Sequence, residues 1–266
     1  MWQDLMFSCA CYPATPDFLK SVEKEVTWQL RRLASHPCIL LWCGNNEIEE
    51  GMPFDCPPSP QYAADYQVLF KDLLGGIIKQ EDPSRRYLHT SPLMNEPGQQ
   101  TDNHFWGVWH GKTDPIDWRK YLETSPLFFS EFGFQSLPSA ALCSAEIGDD
   151  CSKGLLGSSA AFLHRQRSAN GNSKLAAAIK KLLPSQDVKT EEVELARQVY
   201  LTQCYQAMAV GCAMDHTRRL WPKCTGSLFW QLNDVWTAPT WSCIGYPMTP
   251  KMLYYTAKRC YAPVSL

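Results

Sequence analysis

Apolar positions in this chain fall into two patterns. Short apolar runs, several with polar ends, alternate with longer stretches in which apolar residues recur every three or four places. The runs are Trp2–Phe7 (with Asp4 inside it), Cys38–Cys43, Tyr87–Pro92, Asn103–Gly111, Leu127–Phe134 and Ser227–Asp234. They are short, aromatic-rich and bounded by Pro, Gly or polar clusters, which predicts buried strands. The helical stretches are clearest after Asp17, where Phe18, Val22, Val26, Leu30 and Leu33 share one face. Asp17 is the expected N-cap there. Ser35-His36-Pro37 ends that helix, because the residue before a proline is pushed out of the helical region. Further helices are predicted over Tyr66–Ile78, over Glu191–Ala213 with Val193, Ala196, Val199 and Tyr200 on one side, and over Lys251–Cys260. Gly51–Tyr62 holds four prolines and reads as a surface loop. Residues 136–190, rich in Ser, Gly, Asp and Lys, read as an insertion of loops and short helices.

Strand alternating with helix favours a parallel sheet with crossover helices, an α/β fold. Six strands are visible, two short of a closed (β/α)8 barrel. At 266 residues the chain is long enough for one large α/β domain. A net charge of -2 with no basic run gives no reason to expect nucleic acid or an anionic membrane as partner. No apolar run approaches the roughly 20 residues that span a bilayer. The start, Met1-Trp2-Gln3-Asp4, lacks the basic and apolar regions of a signal peptide. The 12 Cys are scattered without a Cys-x-x-Cys pair, so they read mostly as thiols, with room for one or two disulfides.

Two runs end on a carboxylate. Leu127-Phe128-Phe129-Ser130 leads into Glu131, and Cys38 to Cys43 leads through Gly44-Asn45-Asn46 into Glu47. An unpaired acid inside a buried strand is costly, so each Glu is expected at a strand's C-terminal end facing a polar cleft. Two such carboxylates facing one another carry out glycoside hydrolysis. Glu49 and Glu50 compete with Glu47 and are expected on a solvated turn. No metal-ligand spacing, phosphate-cradling Gly loop or Ser-His-Asp order is present, and no cofactor is expected.

Trp42-Cys43-Gly44-Asn45-Asn46-Glu47 resembles the acid/base motif of the family 2 glycoside hydrolases, and Phe129-Ser130-Glu131-Phe132-Gly133 resembles their nucleophile motif. The closer resemblance is to the β-mannosidases. It is carried by Trp2–Phe7, the doubled Asn before Glu47, Phe105–Gly111, Glu131–Ser136, His164-Arg165-Gln166 and Trp230–Trp236, in that order and over nearly the whole chain. The resemblance implies a retaining exo-β-mannosidase on a (β/α)8 barrel, with Glu47 as acid/base and Glu131 as nucleophile. Its substrate would be a β-mannoside oligosaccharide or a glycan derived from glycoprotein. Asn46 would hydrogen-bond the sugar 2-hydroxyl, or serve as a turn residue. Asp4 would bind a sugar hydroxyl or make a structural hydrogen bond. Trp109 and His110 would wall the subsite or pack, and Trp230 and Trp236 would form its floor, with one of them in the core. His164 and Arg165 are expected in a salt-bridged loop.

The chain departs from that family at both ends. The β-sandwich domains and first two barrel strands before Trp2, and the β domains after the barrel, have no counterpart here. The expectation is an incomplete barrel spanning residues 1–266, holding about strands 3 to 8. Two alternatives stay open. One is an inactive truncated remnant that binds sugar or protein, and the other a β-galactosidase or β-glucuronidase of the same family. Lysosomal, vacuolar and cytoplasmic compartments are all compatible with the resemblance.

Overall fold

The computed structural model describes residues 1–55, 59–93, 102–111, 117–148, 159–183 and 193–264. It divides into two compact units, Met1–Asn103 and His104–Leu266.

The first unit is built on a parallel sheet. Strands β1 (Trp2–Asp4), β2 (Leu41–Cys43) and β3 (Arg86–Leu88) lie in that order, with Trp2 beside Leu41 and Leu41 beside Arg86. All three residues of β2 are buried, as expected of a central strand. The ladder continues past the strands through bridges joining Ser8 to Asn46 and Asn46 to Ser91.

Helix α1 (Pro16–Leu33) makes the first crossover and buries Val22, Val26 and Leu30. Its N-cap position is taken by Thr15 rather than Asp17. Pro16 fills the first helical place, where its missing N–H is no loss. Asp17 lies instead in the first turn, where its charge faces the positive helix end. The segment expected as a loop over Gly51–Tyr62 is largely helical. Helix α2 spans Ile48–Asp55, and α3 (Pro60–Tyr66) begins on Ser59, whose hydroxyl accepts from the Gln61 N–H. Proline is tolerated in a helix's first turn, so Pro60 marks a start rather than a break. A wider-wound turn, Gln67–Leu73, joins α3 to α4 (Leu74–Glu81).

The core of this unit gathers Val26 and Leu30 from α1 against Trp42, Leu69, Phe70, Leu74 and Ile78. Burying each such side chain stabilises by about 1.5–3 kcal/mol. The buried Trp42 indole donates to Asp82 Oδ2 at 2.8 Å, and Arg85 Nη1 lies 2.6 Å from the same oxygen. Burial alone would push the Asp82 carboxyl up, but the donors Ser84, Trp42 and Arg85 hold it below its usual range.

In the second unit, β5 (Phe129–Glu131) lies beside β4 (Asn103–His104). The run expected as a last strand, Ser227–Asp234, is not one continuous strand. Its first half runs parallel to β5. Phe129 N–H donates to Gly226, Leu228 N–H to Phe129 and Trp230 N–H to Phe132, all at 2.8–2.9 Å. From Gln231 onward its partners change to the segment Trp241–Ile244, which ends the ladder. A small antiparallel pair, β6 (Ile244–Gly245) and β7 (Thr249–Pro250), follows.

Three helices stand within the expected insertion: α5 (Ala140–Ile147), α6 (Ala160–Arg165) and α7 (Gly171–Leu182). Residues 149–158 and 184–190 of that segment lie outside the described residues. Helix α8 is longer and later than expected, Leu195–Arg219. Its buried face carries Val199, Thr202, Gln206, Ala209, Val210 and Ala213, while Tyr200 is exposed. Polar Gln and Thr on the inner face disguised that stripe. Helix α9 (Met252–Cys260) packs on α8. Among the described residues no helix is long and apolar enough to cross a membrane.

Candidate active site

Glu47 is held by the end of the first unit's sheet. Gly44 closes β2 where a Cβ would meet Tyr87 Oη at 2.4 Å and the His89 carbonyl at 2.6 Å, so only glycine fits. Asn45 is fully buried. Its Nδ2 donates to the His89 carbonyl at 2.7 Å, and its Oδ1 accepts from Thr90 Oγ1 at 2.8 Å and from the Ile48 N–H at 3.1 Å. The side chain thus ties the start of α2 to the end of β3. Asn46 is bridged on both sides, and Glu47 then takes a left-handed φ of 59°. The Glu47 N–H donates to the Ser91 carbonyl at 2.8 Å, and its own carbonyl accepts from Gly51 as α2 begins. The half-buried carboxylate accepts from Cys9 Sγ at 3.7 Å.

Asp4 ends β1 as an exposed residue, and Trp2 Nε1 donates to its Oδ1 at 2.8 Å. Glu49 is not on a solvated turn. Its Oε2 accepts from Tyr66 Oη at 3.0 Å and lies 3.0 Å from His89 Nε2. Burial, then the Glu49 charge, pushes the Tyr66 phenol far up, so it stays a donor. Cys11 is disulfide-bonded, whereas Cys38 and Cys43 carry thiols.

Glu131 ends β5 in the second unit. Trp106 Nε1 donates to its Oε1 at 3.0 Å, and His104 Nδ1 stands 3.9 Å from the same oxygen. The imidazole is 2% exposed and the carboxylate 12%, so the oxygen meets its donors with little competing water. The backbone is fixed on both sides. Phe105 N–H donates to the Glu131 carbonyl, and Trp230 N–H to that of Phe132. Gly133 is required, since a Cβ there would lie 2.4 Å from the Trp230 carbonyl oxygen.

Trp230 presents 44% of its surface to solvent, and the Trp230–Gln231 peptide is cis. Trp109 is fully buried, donates to Ser168 Oγ at 3.0 Å and sits edge-on to Phe134 and Trp241. It belongs to the core beneath the site rather than to a solvent-facing wall. His110 is exposed and edge-on to the Trp106 ring at 5.5 Å. Trp236 is half-buried, with the Arg165 and Arg167 guanidinium groups 5.3 and 5.7 Å from its ring centre. Arg165 also pairs with Glu146 at 3.7 Å, but His164 and Arg165 lie in the last turn of α6 rather than in the expected loop.

No family model matches the chain. Single proteins do. The β-mannosidase of Capra hircus is 34% identical over 290 residues, across 99% of this chain and 32% of that protein. The β-mannosidase B of Thermothelomyces thermophilus is 32% identical over 289 residues, across 100% of this chain and 33% of that protein. The crystal structure of a β-D-mannosidase from Dictyoglomus thermophilum superposes with a TM-score of 0.85 at 31% identity, over 98% of this chain and 31% of that one. The chain is a relative of the β-mannosidases. It spans about a third of the length of the β-mannosidases it matches.

Within this β-mannosidase-like chain, sequence reasoning missed the residues that serve the carboxylates. Trp106 and His104 attend Glu131, and Cys9 attends Glu47. Trp106 lies in the same aromatic run as Trp109, and nothing in that run's composition says which indole points at an acid. It missed as well the buried Lys251 Nζ, 3.7 Å from Asp234 Oδ2. Burial lowers the Lys251 ammonium to about 8, and the attraction of Asp234 offsets only part of that.

Proposed function

We propose that this chain carries the catalytic chemistry of a retaining exo-β-mannosidase. It removes terminal non-reducing β-D-mannose from β-mannosides by double displacement. The β1–β3 sheet and the parallel ladder beside β5 would be parts of a (β/α)8 barrel. Glu131 attacks the anomeric carbon to form a covalent glycosyl-enzyme while Glu47 protonates the leaving oxygen. Glu47 then takes the proton of the water that releases the sugar. The observation that carries this reading is the pairing of two features. Glu131 ends β5 and Glu47 stands just beyond β2, each within its own hydrogen-bond network, and over 99% of its own length the chain is about a third identical to a β-mannosidase.

The local chemistry supports the two roles. A donated hydrogen bond favours the ionised form of a carboxylate, so Trp106 keeps Glu131 ready as a nucleophile. An ionised Glu131 in turn disfavours ionisation of an acid placed near it, which is what a proton donor requires. Retaining enzymes hold the two carboxyls about 5–5.5 Å apart, and the reading requires that spacing here. Asn46 is the proposed partner of the sugar 2-hydroxyl. Asp4, His110, Trp230 and Trp236 are proposed to border the sugar, while Trp109 packs edge-on to Trp241, the ring that also meets Trp106.

The test is hydrolysis of 4-nitrophenyl β-mannoside by the purified chain, beside the corresponding galactoside and glucuronide. Turnover of the mannoside that falls about 10²–10⁴-fold in both Glu47→Ala and Glu131→Ala is the expected result. A chain that melts cooperatively yet prefers the galactoside, or turns over none of the three, would overturn it.

A further inference from the structure

We propose that Cys9 is a positioning residue for Glu47: its thiol gathers the Asn46 amide and the Glu47 carboxylate onto one sulfur and favours the ionised carboxylate. The proposal rests on the reading of Glu47 as the acid/base. Neighbouring residues along a strand point to opposite faces. Asn46 and Glu47 are neighbours, yet Asn46 Nδ2 lies 4.0 Å and Glu47 Oε2 3.7 Å from the same Cys9 Sγ.

Two backbone reversals bring this about. Glu47 has a φ of 59° and Cys9 a φ of 41°. Only Asn170 and Met248 join them as non-glycine residues of positive φ among those described, so half of these conformations meet in one contact. Each costs about 1–3 kcal/mol and persists only where its surroundings fix it. Here the two turns fix one another. The Cys9 N–H donates to the Asn46 carbonyl at 3.2 Å, and the Asn46 N–H donates to the Phe7 carbonyl at 3.0 Å.

The polarity of the contact is set by what else reaches the sulfur. Ser8 Oγ donates to it at 3.3 Å, and the Asn46 amide approaches as a second donor. The thiol in turn donates to Glu47 Oε2 at 3.7 Å. A thiol is a weak donor, but a hydrogen bond to the charged form of an acid always favours that form. Cys9 thus opposes the rise in pKa that a general acid needs and limits how far it goes. That keeps Glu47 able to give a proton in the first step and to take one in the second.

The test is a carbon-13 titration of chain labelled at the glutamate carboxyls. The Glu47 resonance is assigned by its loss in Glu47→Gln. Cys9→Ala should raise the Glu47 pKa by about 0.5–1 unit, the scale of one weak charge-assisted bond, and Cys9→Ser should return it to the wild-type value or below. Methylthiolation removes the Cys9 proton without a change of sequence and should give the same rise, with the methylthiolated Cys9→Ser chain as the control for modification of the other thiols, Cys38 among them. An unchanged pKa in both the alanine variant and the modified chain overturns the proposal, as does a shift that serine does not reverse. Turnover of 4-nitrophenyl β-mannoside by Glu47→Gln tests the acid/base reading separately, because the titration reports on Cys9 whether or not turnover depends on Glu47.

Discussion

At the scale of single residues, the two carboxylates differ in what attends them. Glu131 takes an indole N–H at 3.0 Å inside a nearly dry pocket, while Glu47 takes a thiol at 3.7 Å and is half-buried. Trp106→Phe keeps the ring packing and deletes the stronger donor. A hydrogen bond to a charged group contributes about 1.5–3 kcal/mol, which corresponds to a rise of about 1–2 units in the Glu131 pKa. The acid limb of the kcat/KM profile should move up by that amount, with little change in melting temperature. Gly133→Ala tests the backbone instead. A methyl group 2.4 Å from the Trp230 carbonyl oxygen forces that segment to shift, so stability should fall by about 1–3 kcal/mol in urea unfolding. Glu47 and Glu131 stand out in the sequence as candidates because an acid that follows an apolar run breaks a pattern. Trp106 does not, because a Trp among aromatics breaks none. Glu49 misled for the complementary reason. Beside Glu50 it looks like a solvated pair, and only the fold brings Tyr66 and His89 to it.

At the scale of elements, α1 was readable because its apolar positions keep strict helical spacing. Helix α8 was readable as a helix but not in its facing. Its inner side is fixed by Gln206 as much as by any apolar residue. Gln206 Nε2 donates to the carbonyls of Phe134, Trp241 and Ser242 at 2.8, 3.1 and 3.2 Å, and its Oε1 accepts from Ser136 Oγ at 2.8 Å. Hydrophobic periodicity is blind to a glutamine used in this way. Gln206→Leu keeps similar bulk and strands these buried groups, each at about 1–3 kcal/mol. The expected loss is about 2–4 kcal/mol in urea unfolding, a large fraction of the stability of a typical domain. The Ser227–Asp234 run shows the other limit. Its composition is that of one strand, yet its backbone changes partners at Gln231, and a change of partner leaves no mark on an apolar run.

At the scale of the whole molecule, the alternation of strands and helices identified an α/β chain, and its motif order pointed to the β-mannosidases it proves to be related to. One global property follows from a single buried pair. Lys251 releases its proton near 8 when folded and at the ordinary lysine value of 10.5 when unfolded. Between those limits the unfolded chain binds this proton and the folded chain does not, so the contribution of Lys251 rises with pH. Burial raises the Cys243 and Cys260 thiols from 9.0 to about 11, and their contribution falls with pH over much of the same window. The pair is therefore read by difference: the stability of the wild type relative to the double variant Lys251→Met, Asp234→Leu should climb by up to about 1.4 kcal/mol per pH unit between about 8 and 10.5. Lys251→Met alone leaves a buried carboxylate unpaired and should cost about 3–5 kcal/mol at pH 7. The Gln206 clamp, finally, bears on the order of assembly. It joins backbone 72 and 35 residues away along the chain, so its bonds close long loops and cannot form until α8 has docked. The segment after Glu131 is then among the last parts to lock during folding. Substitutions at Gln206 should accelerate unfolding far more than they slow refolding, and Glu131 should acquire its geometry only in the final step.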